Sequence, residues 1–66
     1  MRTVRIGDEN LHVVFKQNTG AMWSLWVYDR RAEKDVQFEC GIALSDVIGA
    51  IKRYKAAGVA VKYVNE

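Results

Sequence analysis

LSDVIGAIKRYKAAG (44–58) is the stretch in which the apolar residues of this chain leave strand spacing for helix spacing. Val47, Ile51 and Tyr54 recur at i, i+4 and i+7, flanked by Leu44, Ile48 and Ala50, which predicts an amphipathic helix. Ser45 is the expected N-cap, and Asp46 suits the positive end of the helix. Lys52 and Arg53 point away from the apolar stripe, and Gly58 is the expected residue just past the end.

On either side of that helix the period is two. RTVRI (2–6), LHVVFKQ (11–17), MWSLWVY (22–28) and VQFEC (36–40) read as strands, joined by GDEN (7–10), NTGA (18–21) and RRAEKD (30–35). With no proline in the chain, glycine, asparagine and aspartate mark the turns, and Gly20 can supply a positive φ. VAVKYV (59–64) is a final strand. The expected fold is α+β: a four-stranded antiparallel meander, one helix packed on one sheet face, and a last strand (ββββαβ). Residues 1–66 are expected to form one compact domain.

A lone helix covers one face of a sheet, so strand parity sorts the side chains. Val4, Ile6, Leu11, Val13, Phe15, Trp23, Leu25, Val27, Val36, Phe38 and Cys40 are expected inward, against the helix. Thr3, Arg5, His12, Val14, Lys16, Ser24, Trp26, Tyr28, Arg30, Gln37 and Glu39 are expected outward. The second set is the informative one. Trp26 and Tyr28 stand among Arg5, Lys16 and Arg30, with Val14 as apolar filler, a mixture typical of interface anchors and their rim. It also suits a stacking platform for single-stranded DNA or RNA. A structural reading stands beside both, because cross-strand aromatic and β-branched pairs stabilise a solvated sheet face by about 0.2–1 kcal/mol each.

Charge weighs on the choice. The chain has ten Lys and Arg against eight Asp and Glu, a net charge of +2. A strong phosphate-backbone binder carries a denser basic stripe than Arg5, Lys16 and Arg30 provide. A protein partner is therefore preferred, nucleic acid being the alternative. Lys52 and Arg53 form a secondary basic patch, although the helix dipole alone favours cations there.

Chemistry finds little purchase. His12 is the only histidine and Cys40 the only cysteine, so an intramolecular disulfide is ruled out, the two cannot make a metal site that needs about four ligands, and no cofactor is implied. His12 is expected to be ordinary surface, and Cys40 a small buried hydrophobe. Asp8 with Glu9, and Glu33 with Asp35, lack calcium-loop spacing, and Gly20, Gly41 and Gly49 form no phosphate cradle. The expectation is not an enzyme but a small binding module, an inhibitor or regulator of a larger complex. A single thiol, with neither a signal-like apolar run nor a membrane span, points to the cytoplasm. A chain this short buries only about 60% of its unfolded surface, so a homodimer using the open face or a free sheet edge is a further expectation.

GIALSDVIGAIKRY (41–54), following a meander with basic and aromatic residues, resembles the positive cofactor four family of single-stranded DNA-binding proteins. In that family a Gly-Ile-small-Leu-Ser/Thr stretch similarly leads from sheet to helix, and Gly41 to Ser45 match it. The final strand VAVKYV lies outside the pattern, and basic strand residues are fewer here. The resemblance implies nucleic acid as an occupant of the sheet. In size and layout the chain is also similar to small accessory proteins that bind and block larger host or defence complexes, a likeness of architecture that fixes no residue.

Overall fold

A computed structural model describes residues 2–65. Strands β1 (Arg2–Gly7), β2 (His12–Gln17), β3 (Trp23–Asp29) and β4 (Lys34–Ile42) form the meander, followed by α1 (Leu44–Ala56) and β5 (Val61–Asn65). The sheet order is β4-β3-β2-β1-β5, antiparallel throughout, so the expected ββββαβ architecture is the one observed. The helix is neither long nor apolar enough to cross a membrane.

Topology decides what the helix covers. Because β5 joins at the β1 edge, the chain leaving β4 must carry α1 across the sheet to the opposite side. Val47, Ala50 and Ile51 of α1 meet Val4, Ile6, Phe15 and Trp23 in the core, with Val13, Leu25, Ile42, Val59 and Val61 packed around them. A helix about 10 Å across spans about two strands at their spacing of about 4.8 Å, so five strands cannot all be roofed.

The strand ends remote from that crossing stay in water. Val27, Val36, Phe38 and Cys40 are exposed, Phe38 by 74%. Their expected burial is thus corrected. Apart from its Ile42 end, β4 lies at a sheet edge away from the core, and its register against β3 slips after Gln37, where Glu39 pairs with Leu25 and Ile42 with Trp23. Those bulges interrupt the two-residue alternation from which the inward positions of Phe38 and Cys40 follow. Leu11, expected inward, belongs to the β1–β2 turn and is 76% exposed. Tyr54, expected in the core, stands half-exposed at the rim of α1.

The helix begins earlier than Ser45 implies. Ala43 is the N-cap, and no side chain caps the helix there. Its carbonyl accepts from the Asp46 and Val47 amides, placing Ser45 inside the first turn. At the other end Gly58 has a positive φ and its N–H donates to the Lys55 carbonyl, as its sequence position predicts.

Candidate functional site

The face opposite α1 is built in rows across the strands. Lys62, Arg5, Val14, Trp26 and Gln37 are successive cross-strand partners from β5 to β4. One row to one side, Thr3, Lys16 and Ser24 pair in turn. On the other side Gly7 pairs with His12, and Tyr28 with Asp35. Five of the six residues expected to bind a partner (Arg5, Val14, Lys16, Trp26 and Tyr28) therefore share this face. Arg30 does not join them. It lies in the turn beyond β3, beside Val36 and Phe38 in a shallow depression at the hairpin end.

This face is not an open platform. Val14, expected as exposed filler, is only 4% exposed, and Ser24 is equally buried. Trp26 and Tyr28 are half-buried. The indole Nε1–H of Trp26 donates to Ser24 Oγ at 2.9 Å, and Ser24 Oγ lies 3.3 Å from both the Lys16 carbonyl and Asn18 Oδ1. Lys16 Nζ sits 4.3 Å from the centroid of the Trp26 ring, a cation–π contact. Cross-strand neighbours thus seal Val14 into a second, smaller cluster on the far side of the sheet. A depression of about 340 Å³ remains beside it, lined by Lys16, Gln17, Asn18, Ser24 and Trp26 among others.

His12 is a structural participant rather than ordinary surface. Its side chain is 8% exposed and stacks on Tyr28 with ring centroids 4.6 Å apart. Nδ1 lies 2.7 Å from the Asp8 carbonyl oxygen and Nε2 lies 3.0 Å from Asp35 Oδ1. Both partners are acceptors, so the ring donates to both when doubly protonated and to one as either neutral tautomer. The contact with Asp35 links β2 to the outer strand β4 across β3, a connection no spacing in the sequence announces. The Asp8 carboxylate accepts from the Leu11 and Asn10 amides, which hold it below the ordinary aspartate value, with smaller help from the charges of His12 and Arg5.

The secondary basic patch is divided. Lys52 lines a groove between α1 and the β1–β5 side of the sheet, whereas Arg53 lines one on the β2–β3 side. Among the described residues no group of three or more His, Cys, Asp or Glu is placed to hold a metal ion. Comparison with protein-family models, with curated proteins and with solved structures finds no match. Fold and site define a small α+β domain with one aromatic and basic sheet face, and its own residues carry the functional reading.

Proposed function

We propose that the chain is a non-enzymatic binding module whose aromatic and basic sheet face docks on a protein partner, acting as a small inhibitor or regulator by occupying that partner's surface. One observation carries this reading: Trp26 and Tyr28 are held before any partner arrives, by Ser24 and Lys16 in one case and His12 in the other. Aromatic anchors already fixed lose little conformational freedom on binding, so their contact area converts more fully to affinity. Arg5 and Lys16 supply the polar rim. The same geometry narrows the room for nucleotide stacking, since Lys16 over Trp26 and His12 against Tyr28 leave each ring at most one face for a base. The exposed free thiol of Cys40 fits a reducing, cytoplasmic setting.

A second reading, self-association, has its own surface. Val27, Val36 and Phe38 form an uncovered apolar corner beside the edge strand β4, where a second copy would find both side chains and backbone groups to pair with. Sedimentation at micromolar concentration, comparing wild type with Phe38→Ser and Trp26→Lys, separates the two surfaces.

The protein-partner reading is tested by capture from the native cell, or from agents that infect it, on immobilised wild type and Lys16→Glu or Arg5→Glu chains of unchanged circular dichroism. Reversing a rim charge sets it against the partner's complementary charge, and a cost of about 2 kcal/mol is roughly thirtyfold in affinity. Equal capture by wild type and both variants refutes the site. Quenching of tryptophan emission by oligonucleotides, weakening steeply with salt, transfers the face to nucleic acid.

A further inference from the structure

Outside that face, a groove of about 380 Å³ runs between α1 and the β1–β5 side of the sheet. Its floor is core: Val4, Trp23, Val47 and Ile51 are all buried. Its walls are not. Leu44 and Ile48 line it from α1, one turn apart, and Tyr63 from β5, all three left about half in water. Leu44 and Ile48 flank the helical stripe expected to be buried, yet the crossing of α1 leaves both, with Tyr63 of β5, without a covering element.

The charge around the groove selects what could cover it. Arg2 stands on the strand wall and Lys52 and Lys55 on the helix wall, with Lys55 Nζ 5.1 Å from the Tyr63 ring centroid. Among the described residues no carboxylate lines the groove, and none is within ion-pairing distance of these three cations. A second copy laid into the groove would bring the same cations face to face, a like-charge juxtaposition that disfavours it. A single-headed amphiphile such as a fatty acid would answer the cations of one wall only. An amphipathic peptide with acids on both flanks of an apolar stripe answers both. From Leu44 to Lys55 the wall is about 17 Å long at 1.5 Å per residue, room for about three turns of a docked helix.

We infer that this groove is a docking site for an acidic amphipathic peptide segment of another protein, its apolar anchors beside Leu44, Ile48 and Tyr63 and its carboxylates toward Arg2, Lys52 and Lys55. The groove lies across the sheet from Trp26, so it is a separate surface from the one under Proposed function and stands or falls independently. The test is a displayed library of random 14-residue peptides selected on the immobilised 66-residue chain. Enriched peptides are expected to carry Leu, Ile or Phe at helical spacing with Asp or Glu alongside. Synthetic copies should bind at least about tenfold more weakly to a Lys52→Glu/Lys55→Glu chain and to an Ile48→Asp chain, each checked for fold by circular dichroism. Binding to Lys16→Glu, altered on the opposite face, should be unchanged. No enrichment, enrichment of basic peptides, or equal binding to the groove variants overturns the inference. Saturable binding of laurate below its micellar concentration, with no peptide enriched, assigns the groove to a lipid and equally overturns it.

Discussion

Replacing Val14 with alanine tests whether the far side of the sheet is a sealed cluster or a solvated surface. Val14 is 4% exposed between its cross-strand partners Arg5 and Trp26. Alanine removes two methyl groups, worth about 0.8 kcal/mol each in transfer free energy. The space they leave, roofed by an indole tethered to Ser24, collapses only in part and adds some tenths to about 1 kcal/mol. The expected loss is therefore about 2 kcal/mol, a drop in Tm of about 8–16 °C for a domain this small. Val14→Thr keeps the shape but puts a hydroxyl where few partners exist, at a cost of about 1–3 kcal/mol. Urea unfolding followed by tryptophan emission and by circular dichroism gives both values, with the slope m expected to hold constant. If both variants lose less than about 0.5 kcal/mol, Val14 is ordinary surface, and the picture of fixed anchors fails with it.

Gly7 has a φ of +121°, and a Cβ there would overlap the Leu11 carbonyl oxygen, so Gly7→Ala should cost more than about 2 kcal/mol by thermal unfolding; a variant as stable as wild type would show the β1–β2 turn to be differently built. The two turn amides lower the Asp8 carboxyl, so its stabilising contribution is full above the ordinary aspartate range and lost as pH falls through its lowered folded value. Asp8→Asn should therefore flatten the acid limb of the stability–pH curve, and an unchanged limb would remove Asp8 from the account. A double-mutant cycle on His12→Ala and Asp35→Ala should return a coupling of about 0.5–3 kcal/mol, since the two are joined at 3.0 Å; strictly additive effects would show the contact to contribute nothing.

How much was legible beforehand depends on the range of the interaction concerned. Alternation in RTVRI, LHVVFKQ and MWSLWVY, the change of period at Leu44 and the glycine at 58 are local properties, and each gave its element to within a residue or two. The placing of Trp23 inward and Trp26 outward also followed, because the side-chain period of a strand is independent of what packs against it. Where alternation itself was interrupted, by the slips in β4, parity lost its meaning and Phe38 and Cys40 were misplaced. The expected N-cap at Ser45 was displaced because the helix starts directly off the end of β4, with the Ala43 carbonyl already accepting its first hydrogen bonds.

The sequence by itself determined which side chains share a face along β1, β2 and β3, and that one helix would leave part of the sheet uncovered. Only the tertiary structure decided which part. By joining β5 to the β1 edge it sent α1 across the sheet, burying Val4 and Trp23, leaving Phe38 in water, and opening the cation-lined groove beside Leu44 and Ile48. It also buried Val14 beside Trp26 and locked His12 onto Tyr28, side chains that parity alone had left in the open. The physical reason is the same in both cases: periodicity along one chain fixes direction, whereas burial depends on neighbours brought together by strand order and by contacts such as His12 with Asp35, 23 residues apart.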